Sequence, residues 1–303
     1  MSPAARTLGA LVAAVSLVCG GCARSTEPRS RPVPRPAEGF PVTMTDDEDV
    51  RVTLREEPRR IVTFAPSHTE ILFALGRGDR VVGVSGPFDD HPPPAAGIEE
   101  VAGADGVEPN VEKVVSLEPD IVLTAFVGGT WKGRLRDLGI PVFTTLASSL
   151  EDTLEDIETV GRLTGATREA EALSEDLSGR AREVESEAGD PVTCFLDLGD
   201  LFTVGPGSLE FDLLERAGCE PITAGADEPY PQWSAEQLVQ DDPQVYLVGE
   251  GVSARAATSG PGVRELTAVR QGRVHEVDSD LISRPGPRVV EGLEHLAALL
   301  GRG

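Results

Sequence analysis

Asn110-Val-Glu-Lys-Val-Val-Ser-Leu-Glu-Pro119-Asp-Ile-Val-Leu123 recurs as Ser234-Ala-Glu-Gln-Leu-Val-Gln-Asp-Asp-Pro243-Gln-Val-Tyr-Leu247. Cap residue, glutamate, valine, proline and leucine keep their offsets between the copies. Each copy predicts an N-capped short helix, a proline stop and a buried strand. A solenoid needs at least three such units. One distant pair predicts instead two similar α/β lobes in one chain. Each lobe presents a glutamate, Glu112 or Glu236, at the same place on a helix N-terminus. Junctions between lobes form clefts of the kind that take small ligands.

Strands and helices alternate on both sides of the repeat, which argues for parallel sheets. Residues 40–54 alternate around the polar turn 46–49 and predict a β-hairpin. Residues 60–66 form a buried strand. Ser67 then caps a helix through Leu75, with Glu70 completing a capping box and Gly76 ending it. Strand 81–85 leads into a proline-rich, ligand-facing loop, 87–94. After the first copy come helix 132–138, strand 141–146 and helix 150–163. The second lobe offers strand 192–198, helix 209–217, the second copy, helix 263–269, strand 273–277 and helix 287–300. Between them, Ala170, Leu173, Leu177, Ala181 and Val184 step by three and four along one narrow apolar stripe. A continuous helix there is ~30 Å long, enough to join two lobes as a strut.

The amino end has the form of a secretory leader: Arg6, the apolar run 8–18, then Cys19-Gly-Gly-Cys22. Gly20-Gly21 before Cys22 resembles a lipobox, with Cys22 as the lipidated first residue. Cys19 stands where leucine is usual, and ordinary signal cleavage is the alternative. Residues 23–38, rich in Ser, Pro and Arg, read as a disordered tether. The expected organisation is leader 1–21, tether 22–39, first lobe 40–167, bridging helix 168–189 and second lobe 190–303.

Net charge is −24, and Lys113 and Lys132 are the only lysines. There is no broad basic footprint, which excludes nucleic acid as an expected partner. The acids spread over solvated helix faces such as 151–158 and 169–187, as in a salt-adapted or acid-surfaced secreted protein. Two of the four cysteines, Cys19 and Cys22, fall at the leader's end and its cleavage site. Cys194 and Cys219 are compatible both with a disulfide and with unpaired buried thiols.

Enzyme constellations are missing: there is no nucleophile elbow and no phosphate loop. Gly76-Arg-Gly-Asp-Arg80 follows a helix, not a strand, so it reads as a helix-ending turn rather than a dinucleotide fingerprint or an adhesion tripeptide. His68, His91, His275 and His295 lack zinc spacing. His68 and His91 lie on segments that could reach the cleft, or act as neutral loop and cap residues. Gly205-Pro-Gly-Ser208 is a turn into a helix. An acid in a first helical turn ordinarily serves the helix dipole; two at matched places in two lobes suggest a two-point dock.

Residues 60–76, the Asn110 copy, Pro229-Tyr-Pro-Gln-Trp-Ser-Ala-Glu236 and Ser283-Arg-Pro-Gly-Pro-Arg288 resemble class III, helical-backbone substrate-binding proteins of ABC importers. That family includes vitamin B12 and ferric-siderophore binders. The resemblance covers about Arg60 to Leu300. It implies two α/β lobes joined by one long helix, a cargo cleft with little hinge closure, no catalysis, no cofactor and a monomer anchored outside the membrane. Its partners would be a permease and its ATPase. It implies that Glu112 and Glu236 dock permease arginines, an arrangement suited to reversible, oriented contact. It also implies that Tyr230, Phe202, Asp280 and Phe88 line the cleft at positions matching a B12 binder. Flat corrins with amide arms suit aromatic walls. The loop 102–107 lacks the tryptophan expected there. Arg284 and Arg288 are the candidates for an anionic ferric siderophore, the alternative cargo, with haem third.

Overall fold

The computed structural model describes residues 39–86, 88–103, 108–187, 189–260 and 262–301. The leader, Cys22, the tether up to residue 38 and loop residues 104–107 lie outside them. Chain order begins β1 (Val42–Thr45), β2 (Arg51–Leu54), β3 (Ile61–Phe64), α1 (Pro66–Ala74), β4 (Val81–Gly83), α2 (Val111–Ser116) and β5 (Ile121–Thr124). It continues α3 (Thr130–Asp137), β6 (Val142–Thr144), α4 (Leu150–Thr164), α5 (Thr167–Ser186), β7 (Val192–Asp197), α6 (Leu209–Arg216) and β8 (Cys219–Pro221). It ends α7 (Ala235–Asp241), β9 (Val245–Val248), α8 (Ala254–Ala257), α9 (Thr267–Arg270), β10 (Val274–Glu276), α10 (Ser279–Ile282) and α11 (Val289–Leu299).

Two four-stranded parallel sheets run β4-β3-β5-β6 and β8-β7-β9-β10. In each, the lobe's second strand is at one edge, followed by its first, third and fourth. The repeat is thus a repeat of topology, and its strands, β5 and β9, occupy equivalent central places. Its caps match as well: Asn110 Oδ1 accepts from Lys113 N at 3.0 Å, and Ser234 Oγ from Gln237 N at 3.1 Å. Before each proline the chain turns through a left-handed residue, Glu118 at φ 45° and Asp242 at φ 42°. Asp242 offsets its strain by accepting from Thr267 N and Oγ1. The entrance hairpin pairs Val42 with Leu54. Asp46 and Asp47 stitch its turn to β6 by accepting from Thr144 N and Leu146 N.

α5 is the long helix read from the stripe. It buries Ala170, Ser174, Leu177 and Ala181 and keeps charged residues outside. It packs along α4 on one side and against α11 on the other. A Cβ on Gly161 would lie 2.3 Å from Ala170 Cβ, so close approach of α4 and α5 requires glycine there. One apolar cluster runs without a break from Val52 to Leu300 beneath both sheets, and smaller clusters cover their other faces. Bending the lobes apart would open that shared core, at ~1.5–3 kcal/mol per large side chain exposed.

Three sequence expectations need correction. Ala65, not Ser67, is the α1 cap, and Pro66 opens the helix. Glu70 makes no capping box: its carboxylate is committed to Arg284 and Arg288, more than two hundred residues on. The helix expected at 263–269 is a 3-10 turn followed by the short α9. β8 is a strand that sequence reading missed. It holds the disulfide Cys194–Cys219, with Cα atoms 5.8 Å apart across adjacent strands, so neither cysteine is a free thiol.

Candidate functional site

Parallel strands put every carboxyl end of a sheet on one edge, where α/β ligands characteristically sit. Contacts between the lobes join segments that follow those ends. Glu70 on α1 holds Arg284 and Arg288, which follow β10. Leu150 N donates to Asp212 Oδ2 at 2.8 Å, and Arg216 bonds Glu151. The two edges are therefore joined by direct contacts between the lobes.

On the second lobe the structure brings Phe202 and Tyr230 together. Their rings stack with centroids 6.2 Å apart and planes inclined by 22°. The cause is local. Buried Asp197, at the end of β7, accepts from Gly199 N and Leu201 N and also from Tyr246 OH. That bends 199–202 into a turn with Asp200 and Leu201 at φ 51° and 63°. Leu201 is unusual in that region, a cost held at the tip that presents Phe202. Thr203 N donates to Pro231 O and Phe202 bridges Gln232, drawing the Tyr230 segment alongside. Tyr230 donates to Glu210 Oε2 at 3.1 Å. Burial, then the neighbouring Glu210 charge, raises its pKa well above the phenol norm, so it stays a donor.

On the first lobe Phe88 is 73% exposed, beyond β4. Phe126 and Val127, which sequence reading missed, are exposed beyond β5, with Phe126 lying 5.4 Å from the Phe64 ring. An aromatic after a buried strand and before Gly128-Gly129 was the available signal. Buried Lys132 steadies this loop by donating to the Phe126 carbonyl, to Glu48 Oε2 and to Thr144 Oγ1. Asp280 follows β10, but its carboxylate is paired with Arg284 Nη2 at 2.7 Å. Arg284 and Arg288, the candidate anion ligands, are both engaged by Glu70.

Glu112 and Glu236 are exposed second residues of α2 and α7, and neither carboxylate has a partner among the described residues. His68 does not reach the cleft. It is buried in α1 with Nε2 3.0 Å from Thr145 Oγ1, and burial lowers its pKa to about 4. Arg77 of the adhesion-like tripeptide is tied to the Thr164 and Gly165 carbonyls. The described residues contain no His, Cys, Asp and Glu group able to hold a metal, and no helix long and apolar enough to cross a membrane. Two hollows of about 680 Å³ open on the second lobe, one lined by 249–253, 276–278 and His295, the other by 199–201, 251–253 and Val263. No site residue named from the sequence lines either.

The chain is 33% identical over 301 residues to an uncharacterized ABC transporter substrate-binding lipoprotein of Bacillus subtilis, covering 95% of this chain and 93% of that one. It is 36% identical over 272 residues to a cobalamin-binding protein of Halobacterium salinarum, covering 85% and 73%. A solved Fe3+-hydroxamate transport protein of Saccharomonospora viridis superposes with a TM-score of 0.72 at 26% identity, covering 86% and 99%. The family described as periplasmic binding protein matches residues 61–281. With paired parallel sheets and a connecting helix, the chain belongs to the periplasmic binding protein family, as a non-enzymatic, substrate-binding component of ABC transport.

Proposed function

We propose that this protein captures cobalamin, or a related corrinoid, outside the cell membrane and delivers it to an importer's permease. The stacked, half-exposed pair Phe202–Tyr230 carries the reading. With Phe88 and Phe126 exposed on the facing edge, it offers aromatic faces to a flat macrocycle, while polar groups at the rim meet its amide arms. Asp280 is a further contact, its free lone pairs accepting from amide N–H groups. Glu112 and Glu236 dock permease arginines, and Cys22 carries the lipid that holds the body near the membrane. The likeness to a cobalamin-binding relative supports the same cargo.

A ferric siderophore is the second reading, favoured by the Fe3+-hydroxamate structural neighbour. Against it, Arg284 and Arg288 are already paired with carboxylates. Calorimetry on the full chain decides. Cyanocobalamin should bind with a Kd at or below about 1 μM, roughly −8 kcal/mol. A ferric siderophore that binds while cyanocobalamin gives no heat would replace this reading with the second.

A further inference from the structure

Glu70 is 3% exposed, yet it receives two guanidinium groups from the other lobe. Arg288 grips it with Nε on Oε2 at 2.9 Å and Nη2 on Oε1 at 2.7 Å. Arg284 Nη1 lies 3.3 Å from Oε1 and turns Nη2 to Asp280 Oδ2 at 2.7 Å. Two cations meet two carboxylates, and the group closes at neutrality. It borders the proposed cargo surface: the segment bearing Asp280 supplies one end. At the other, Asp89, the residue after exposed Phe88, feels the Arg284 charge. The remaining segments beyond strand ends, 84–98, 125–129, 145–149, 198–208, 222–234 and 249–253, contain no lysine or arginine. Arg284 and Arg288 are thus the arginines available to an anion, and their side chains remain 13% and 20% exposed.

Resting on the corrinoid reading, we propose that Glu70 is a specificity-determining residue. By holding Arg284 and Arg288 it cancels the cleft's positive charge and excludes polyanionic chelates, leaving a surface matched to a cargo with neutral amide arms. The buried carboxylate acts through the arginines, so it is a positioning residue. Its effect is a rejection that good aromatic stacking alone does not provide.

The test titrates a trianionic ferric tris-catecholate, and separately cyanocobalamin, into the full chain and its Glu70→Gln, Glu70→Asp and Asp280→Asn variants. Wild type and Glu70→Asp should not bind the trianion detectably. Glu70→Gln should bind it, with about tenfold gained per arginine released and the gain fading as salt rises. Asp280→Asn, which leaves the buried pair intact, should show a smaller gain through Arg284 and guards against a Glu70 variant that fails to fold. Tight trianion binding by wild type, or no gain in folded Glu70→Gln and Asp280→Asn, overturns the inference. Cyanocobalamin titrated into wild type judges the cargo reading separately. Its failure alongside a trianion gain would remove the cargo and keep the charge inference.

Discussion

Tyr230 donates a hydrogen bond from its hydroxyl to Glu210 while its ring lies against Phe202, so one side chain is fixed at both ends. The two ends separate by mutation. Tyr230→Phe keeps the ring and leaves the buried Glu210 carboxylate unpaired, which should lower stability by about 1–3 kcal/mol with little change in cobalamin affinity. Tyr230→Ala removes the wall as well and should weaken cobalamin about tenfold or more beyond the phenylalanine variant. Urea unfolding and calorimetry on both variants make the comparison.

Glu112 and Glu236 sit at equivalent exposed helix starts, one per lobe. Reversing either to arginine should impair uptake through the cognate permease, and reversing both should abolish it. Cobalamin affinity should stay as in wild type. Melting should shift little, because each acid contributes only a few tenths of a kcal/mol to its own helix. Wild-type uptake by the double variant would return both to ordinary helix-start acids.

Cys194 and Cys219 close a loop of sequence separation 25 between adjacent strands. Replacing both with alanine should cost about 3 kcal/mol in urea unfolding. Wild type unfolded under reducing conditions should lose a similar amount, and the alanine variant should be insensitive to reductant.

His68 and Asp156 both lie near Thr145, and burial shifts their pKa values in opposite directions. Burial lowers His68 from 6.5 to about 4, so the unfolded chain takes up a proton that the fold refuses. Its contribution falls as pH drops from 6.5 towards 4. Burial, with the nearby charges of Asp47, Asp152 and Glu155, raises Asp156 from 3.8 to about 7. Its contribution falls as pH rises through that window, since the fold holds a proton the unfolded chain releases. His68→Gln should therefore gain on wild type as pH falls to 4, and Asp156→Asn should gain as pH rises to 7. Unfolding free energies measured across that range check both signs.

Lobes, sheets and strut were legible because their signals are local: a repeated cap–helix–proline–strand phrase and a stripe spaced by three and four. Glu70 misled for the same reason. A glutamate three residues after a serine looks like a capping box, and nothing nearby announces arginines at 284 and 288. β8 escaped because Cys219-Glu-Pro221 is too short to alternate. Phe88, Phe202 and Tyr230 were singled out by motif position, and the structure leaves all three rings exposed. Phe126 belonged to no motif, and its exposure comes from the Gly128-Gly129 turn and the lysine under its carbonyl.

Each sheet draws its strands from an unbroken stretch of chain, 61–144 for one and 192–276 for the other. A polypeptide delivered amino end first therefore has every strand of the first sheet in hand before any strand of the second arrives. No strand must wait for a distant partner, which limits the time unpaired edges are open to aggregation. The exception is α11, the last helix to emerge, which packs back on α5 and α6. The long helix α5 therefore gains its partner α11 only when the chain is nearly complete.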